Sequence, residues 1–594
     1  VQLPIPPLGP TPVRGNVPLA AAYLKLFAER NGLGAAYDIE VFPATLANTL
    51  GDHALVEALL LHDPWLVGFT CYLWNIERTL WVVRELKRRR PGVRVVLGGP
   101  EVTADNAWVL DTPDYDFAVI GEGEQTFAQL LHDLADGDDL APGAPGLFIP
   151  NPGAGPRYHP SRQPPFRSPL PDLNQLGSPY LAGILDVADE RSMLLETSRG
   201  CRYRCRFCYY WKSYNDTYYL ADDAIRASLA HAAGRGAREV FLLDPTLNQR
   251  KDFADLLRLL AECNPGHRFS YFAELRGEGV TEEAARLLRG ANFTEVEVGL
   301  QSVEPDAMAL MDRKNNLRAF ERGVRAMMSQ GIRVKVDLIV GLPGDTAESV
   351  RRGLHYLHDN GLGGDVQVFN LAVLPGTAFR EDAARLGLVH QPRPPYYVLK
   401  TPTLDRTDLF GLMHEAQELF EVEFDAAPPP VLDFAADSPV EHVWRADLGR
   451  AGHGEPPAPE RRSQAFTLWL RVDDFDRHRD AAAALVRRVL DDNPFTTLQV
   501  VLEPDAASGV SPSFLQALFA VCQERPTYLD KYYALQPGGT NGAKRLIVLL
   551  PREWRPRVSA DWLEAVGALA TLAWRGADPK AEADMEAYEF AWPP

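Results

Sequence analysis

Alternating short apolar runs and helical stretches predict an α/β protein of parallel βα units. That alternation occurs twice, before residue 146 and again between residues 190 and 379, and a proline- and glycine-rich stretch separates the two. The expected architecture is a doubly wound, Rossmann/flavodoxin-like domain (1–146), a linker (147–189), a partial (βα)6 barrel (190–379) and a small α+β carboxyl-terminal domain (380–594). A chain of 594 residues has ample core for several domains.

In the first domain, Val67 to Tyr72, Val93 to Leu97 and Phe117 to Ile120 read as strands, each followed by glycine or polar residues and then a helical pattern. Ligands on a doubly wound sheet sit beyond the carboxyl ends of its strands, where glycine lets the backbone approach closely. The loops there are Thr70-Cys71-Tyr72-Leu73-Trp74-Asn75, Gly98-Gly99-Pro100-Glu101-Val102-Thr103 and Gly121-Glu122-Gly123-Glu124. No Gly-x-Gly-x-x-Gly follows the first strand, which argues against a nicotinamide site. The linker holds Pro150-Asn151-Pro152-Gly153-Ala154-Gly155-Pro156 and Gln163-Pro164-Pro165-Phe166, a composition that lets the first domain swing over the second.

Six strands are expected in the barrel: Met193 to Thr197, Glu239 to Leu243, Arg268 to Glu274, Glu295 to Leu300, Val334 to Val340 and Val366 to Leu371. Its active site must lie at their carboxyl ends. Beyond Arg380 the pattern is irregular, with Gly449 to Arg462 read as a mobile loop. Strand-like Phe466 to Val472, Leu498 to Leu502 and Arg545 to Leu550 suggest the α+β domain, in which no catalytic motif is visible. Tyr396-Tyr397 and the run Tyr528 to Tyr533 are either core or pocket lining.

Chemistry enters at Ser198-Arg199-Gly200-Cys201-Arg202-Tyr203-Arg204-Cys205-Arg206-Phe207-Cys208. Three closely spaced thiolates hold three corners of an iron-sulfur cube and leave one iron open. Structural zinc takes four ligands, usually as two pairs, and Cys71, Cys263 and Cys522 are isolated. Six cysteines are too few for a disulfide framework in a chain this long.

Cys-x3-Cys-x2-Cys with Phe207 before the last cysteine resembles the motif of radical S-adenosylmethionine (SAM) enzymes. The resemblance implies a 4Fe-4S cluster on Cys201, Cys205 and Cys208, whose open iron chelates SAM and whose electron cleaves it to a 5′-deoxyadenosyl radical. It places Asp244, where the common Gly-Gly-Glu is absent, near the SAM amino group, and Gln301 on the ribose side. Arg313 falls where relatives pair a basic residue with the SAM carboxylate, and Gly341-Leu342 where a loop packs on adenine. Glu274 reads either as a solvated strand end or as a lumen carboxylate near SAM, cluster or substrate.

The three loops of the first domain, with Asn16 ahead of them, are similar to the cobalamin-binding domain upstream of the cysteines in one radical SAM class. That likeness makes Asn16, Tyr72, Leu73, Trp74, Gly98, Gly99, Glu101, Thr103, Gly121, Glu122 and Gly123 candidate corrin contacts. No Asp-x-His-x-x-Gly is present to supply a histidine to cobalt, so Trp74, or else Leu73 or Tyr72, is the candidate cover for its lower face. The alternative for Trp74 is a core tryptophan between strand and helix.

The implied activity is cobalamin-dependent C-methylation of an unactivated carbon in a small molecule of secondary metabolism. A rearrangement without methyl transfer and a zinc-binding scaffold are the rival readings. An external electron donor such as a flavodoxin or ferredoxin is expected, and a monomer. With 61 basic against 80 acidic residues, net −19, nucleic acid is disfavoured. No run approaches the roughly 20 apolar residues of a membrane span and no signal peptide is read at the start, so the cytoplasm is expected.

Overall fold

The computed structural model describes residues 1–9, 15–135, 145–150, 167–214, 216–362, 364–434, 438–450, 453–533, 542–576 and 588–591. Of the expected linker, residues 151–166 lie outside the described residues.

The first sheet orders β1 (Leu66–Thr70), β2 (Arg94–Gly98), β3 (Phe117–Val119) and β4 (Leu147–Phe148), the first three parallel and the last antiparallel. Gln2 bridges Thr70 in parallel on the outer side of β1. The chain therefore runs on both sides of β1, as a doubly wound sheet requires. Helices Leu19–Arg30 and Glu124–Ala135 pack together, as do Asp52–Leu61 and Ile76–Arg89. Each pair closes over its own apolar cluster, one built on Phe27 and Leu131 and the other on Leu55, Val83 and Leu97.

The second unit contains six parallel βα steps. Strands β5 (Ser192–Leu195), β6 (Glu239–Leu242) and β7 (Ser270–Phe272) form one sheet. β8 (Glu274–Leu275), β9 (Glu295–Gln301), β10 (Arg333–Val340) and β11 (Val366–Asn370) form the other. β7 and β8 are one strand interrupted at Ala273, so the wall is continuous but open between β5 and β11. The β-branched alternation in Arg333-Val334-Lys335-Val336-Asp337 sends valines to the helices and polar residues inward. Helix Ala347–Asp359 starts at a capping box of Thr346 and Ser349, which fixes where the chain leaves β10. Helix Arg406–Phe420, inside the stretch expected to be irregular, caps this wall, with Leu409, Leu412 and Met413 in the barrel core.

The carboxyl-terminal unit departs from the α+β expectation. β12 (Glu441–Asp447), β13 (Arg462–Val472), β14 (Thr497–Pro504), β15 (Lys544–Pro551) and β16 (Thr571–Arg575) are parallel in sequence order, and only β17 (Tyr588–Ala591) is antiparallel. Helices Arg479–Asp492 and Pro512–Cys522 serve as crossovers, so this is a third α/β layer. β13 to β15 are buried almost end to end, so they read as apolar runs and their direction is not legible from alternation. The sheet docks on the first domain: Asp52 accepts from the Phe495 amide (2.7 Å) and Arg545 donates to the Leu8 carbonyl (2.8 Å). Within Gly449–Arg462, residues Pro459–Arg461 form a short 3-10 turn.

Candidate active site

The cysteine loop leaves the carboxyl end of β5 under several restraints. Ser198–Arg199 pair antiparallel with Tyr218–Tyr219. Asp244, just past β6 and buried, accepts from the Thr197 amide (3.1 Å), the Thr197 hydroxyl (2.7 Å) and the Ser198 hydroxyl. Its carboxylate thus holds the loop entry. Gln249 brackets Cys201: its amide donates to the Gly200 carbonyl (3.1 Å) and accepts from the Arg202 amide (2.9 Å). Cys205 closes a turn onto Cys208 (3.1 Å), and Phe207 packs against the barrel core.

Burial pushes the Cys201 thiol up and the Cys208 thiol up to about 11. Such thiols ionise when a cation binds them. Among the described residues no three His, Cys, Asp or Glu side chains close on a single point. Thiolates serving separate corners of a cube need not converge, since each binds its own iron, and the donor set fits the cluster.

Alternation along the strands decides what faces the lumen. Val296, Val298 and Leu300 are buried toward the helices, and Glu295, Glu297, Gly299 and Gln301 point the other way. Glu274 pairs across strands with Glu297. Asp337 joins them from β10, only 7 % exposed, with its Oδ1 lacking any hydrogen-bond partner. Phe241 and Phe272, 4.5 Å apart, line the other side, and Leu243 just past β6 and Phe369 near the end of β11 stay exposed.

Glu274 is open to the lumen yet ringed by protein. That surround, with the Glu297 charge, raises its carboxyl to about 7, and its own charge is felt at the Cys208 thiol. Burial and Glu297 also raise Asp337 strongly, so the facing pair holds a proton.

Arg313, buried, donates to the Gly299 carbonyl and to Asn315 (3.2 Å), and its Nη1 stands 4.0 Å from the Cys205 sulfur. Gln301 adopts a left-handed φ of 72° at a bulge in β9, where its amide folds back over Gly299. Cys201, Cys205, Cys208, Glu274, Gln301 and Arg313 therefore meet at one mouth. Asp337 belongs with them and was missed, although a lone carboxylate in Val336-Asp337-Leu338 is the signal that could have found it. Gly341 turns beside them with φ 94°, but the Leu342 side chain is core, which leaves only backbone to face a ligand there.

The loops of the first domain divide by role. Tyr72 and Trp74 stack at 4.4 Å and 8°, both half-buried, so Trp74 is not a core tryptophan. Asn75 holds this loop by accepting from the Tyr72 amide and donating to the Leu3 and Thr70 carbonyls. Leu73 is half-buried between the two rings in sequence. Gly98 and Gly99 lie against Cys71; with φ 108°, a Cβ at Gly99 would stand 2.7 Å from the Cys71 oxygen.

Other candidates are occupied by the protein itself. Glu101 accepts from Tyr396 (2.6 Å) and Asn106 (3.1 Å), and burial raises its carboxyl to about 7. Thr103 donates to Asp105 (2.8 Å), which receives the Gly376 amide beyond β11 (2.8 Å). Tyr209, next to Cys208, packs its ring under Gly376, where a Cβ would lie 2.7 Å from the ring. Asn16 is bonded to Gln2 and Asn48. In the third loop Gly121 turns with φ 90°, Gly123 abuts Leu24, and both carboxylate oxygens of Glu122 are taken, by Arg199 (2.8 Å) and the Leu170 amide (2.6 Å). Glu101, Thr103, Asn16 and Glu122 thus dock and brace the domain, and short polar side chains beside glycine gave no way to tell docking from ligand contact. Tyr396 is fully buried, and Tyr397 meets Tyr532 at 5.7 Å.

The loops at the carboxyl ends of the first sheet therefore rest on the mouth of the barrel. Residues 195–357 match the radical SAM superfamily and residues 16–131 the B12 binding domain. The chain thus joins a B12-binding domain to a radical SAM domain, and the cofactors these two domains imply are a 4Fe-4S cluster, SAM and cobalamin.

The chain is 28% identical over 430 residues to the cobalamin-dependent radical SAM methyltransferase TokK of Streptomyces tokunonensis, covering 68% of this chain and 60% of that protein. It is also 28% identical over 402 residues to 2-(S-pantetheinyl)-carbapenam-3-carboxylate methyltransferase of Streptantibioticus cattleyicolor, covering 64% and 56%. The chain thus spans under two thirds of the length of these curated relatives. Its fold resembles the radical SAM methyltransferase TsrM of Kitasatospora setae (TM-score 0.53, 19% identity, 65% of this chain and 76% of that one). It also resembles the cobalamin-dependent enzyme OxsB (TM-score 0.54, 13% identity, 69% and 67%).

Proposed function

We propose that this chain is a cobalamin-dependent radical SAM C-methyltransferase acting on an unactivated carbon of a small natural-product molecule. One observation carries the reading: Asp105 on Gly376, and Glu101 on Tyr396, hold the loops of the B12-binding domain against the barrel mouth where the cysteines and lumen carboxylates meet. A methyl donor and a radical generator so placed would share one substrate. The methyltransferase relatives support the class of reaction and the size of the substrate.

When bound, the cluster with SAM would supply a 5′-deoxyadenosyl radical and cobalamin a methyl group. Cys201, Cys205 and Cys208 would hold the cluster, and Gln301, Arg313, Glu274 and Asp337 the nucleoside and amino-acid parts of SAM. Arg313 offers a fixed cation and Asp337 an acceptor for a hydroxyl. The half-exposed Tyr72 and Trp74 offer an aromatic surface in place of a histidine ligand. Phe241, Phe272, Leu243 and Phe369 supply the apolar wall that keeps water from a radical. An external flavodoxin or ferredoxin would deliver the electron.

The test is an anaerobic assay of reconstituted enzyme with deuterated-methyl SAM and candidate substrates. Labelled product together with S-adenosylhomocysteine and 5′-deoxyadenosine is expected. Product formed without S-adenosylhomocysteine would establish a rearrangement instead.

A further inference from the structure

Arg199 stands two residues before Cys201 and is one of the most heavily engaged side chains in the molecule. Its Nη1 donates to Glu122 (2.8 Å), its Nη2 to Glu124 (2.8 Å) and its Nε to Glu196 (2.8 Å). Arg199, Glu122 and Glu124 are 6 %, 8 % and 7 % exposed. The Tyr23 ring lies 5.7 Å from the guanidinium carbon, and the second oxygen of Glu122 receives the Leu170 amide. One planar cation therefore ties four separate parts of the chain: the loop after β3, the segment that leads into the barrel, the end of β5, and the strand that enters the cysteine loop.

Two buried carboxylates and a half-buried third around one cation are a poor way to gain stability, because desolvating the charges offsets most of their attraction. Their arrangement does fix geometry. A guanidinium presents its donors in a rigid fork, so its three partners cannot shift independently. Glu122 and Glu124 flank Gly123 in the third loop of the B12-binding domain, at the carboxyl end of the sheet where ligands of such folds lie. On the other side, Ser198–Arg199 are clamped by Tyr218–Tyr219 and run through Gly200 into Cys201. At Gly200, φ is 92° and a Cβ would collide with the Asp216 backbone, so this passage has no slack.

We propose that Arg199 is a positioning residue that couples the two cofactor sites, transmitting the position of the third corrin-facing loop to the cysteine loop. The proposal rests on the reading of the shared pocket given above. Movement of the loop that carries Glu122 and Glu124 cannot occur without moving Arg199, and with it the peptide that sets Cys201. Coupling of this kind is reciprocal: cobalamin must alter SAM affinity by the factor by which SAM alters cobalamin affinity.

The test uses full-length enzyme with its cluster reconstituted, and measures the Kd for SAM with and without saturating hydroxocobalamin in wild type, R199K and E124Q. Wild type is expected to bind SAM about 5- to 10-fold more tightly when cobalamin is present. R199K keeps the charge but cannot span three carboxylates, and E124Q removes one arm while leaving the guanidinium in place. Both are expected to bring that ratio close to one while retaining iron and bound corrin. The electron spin resonance signal of the reduced cluster with SAM should likewise respond to cobalamin in wild type and not in the variants.

Equal SAM affinity with and without cobalamin in wild type overturns the proposal. So does coupling of wild-type strength in E124Q, the variant that serves if R199K does not fold. Wild type that binds no corrin, seen directly in its visible spectrum, sinks the underlying reading and the proposal with it.

Discussion

Two groups of three carboxylates lie in this molecule, and they are built in opposite ways. Glu122, Glu124 and Glu196 converge on one guanidinium, each by a direct charge-assisted hydrogen bond. Glu274, Glu297 and Asp337 stand side by side on β8, β9 and β10 and face the barrel lumen, where Lys335 neighbours Glu297, Arg313 acts on Asp337, and Asp337 keeps an unpartnered oxygen. The first group has its needs met within the chain and so fixes where the domains sit. The second leaves one buried oxygen, that of Asp337, without a partner in the protein, which is the mark of a place prepared for a ligand. Packing follows the same division. The docked loops leave no room for a methyl group at Gly99 or Gly376, whereas Leu243 and Phe369 stay exposed at the mouth.

Exchanging one acid from each group should give opposite results, and this is the largest effect expected. Asp337→Asn replaces one carboxyl oxygen with an N–H donor where a bound hydroxyl would be received, and should lower product formation by up to about 10-fold, the worth of one neutral hydrogen bond. Its stability should hold or rise, because a buried carboxyl without a cation is removed. Glu122→Gln should do the reverse, lowering stability by about 1–3 kcal/mol by breaking a buried charge pair. Urea melts and turnover measured side by side check both. An Asp337→Asn enzyme that is fully active and clearly destabilised would erase the distinction.

The sequence made one side of this contrast legible and hid the other. The cysteine spacing, the six barrel strands and Glu274 at a strand end follow from local pattern, because alternation along a strand dictates which face a residue takes, whereas Gln301 and Arg313 are reached through the family resemblance. Partnership across domains has no local pattern. Glu122 and Glu101 look like ligand contacts in loops beside glycine, and only the fold shows that Arg199 and Tyr396, distant in sequence, have claimed them. The same limit explains the carboxyl-terminal sheet, whose strands are buried on both faces and carry no alternation from which direction could be read.

The packing difference offers a second, smaller test. Gly99→Ala puts a side chain on a residue with φ 108° and against the Cys71 backbone, and should cost about 2 kcal/mol or more. Leu243→Ala shortens a side chain that is 37 % exposed at the lumen mouth and should cost under about 1 kcal/mol. Chemical denaturation of the two variants measures this directly. Similar losses would mean that the mouth is as tightly built as the docked face.

The smallest effect is in pH dependence, and its sign is fixed. Glu274 has a folded-state pKa raised to about 7 by its protein surround and by Glu297, against about 4.3 in an unfolded chain. Between those values the folded protein holds a proton that the unfolded chain has released. Stability therefore falls as pH rises through that window, and the loss is complete above about 7. Asp337 shifts in the same direction and carries the fall further toward alkaline pH. Glu274→Gln abolishes its share, so the variant should gain on wild type between about pH 5 and about pH 8 when urea midpoints of the two are compared. Because Glu274 is open to the solvent of the lumen, the gain should be modest. A difference that stays flat across the window would show that the lumen acids are as well satisfied as those around Arg199.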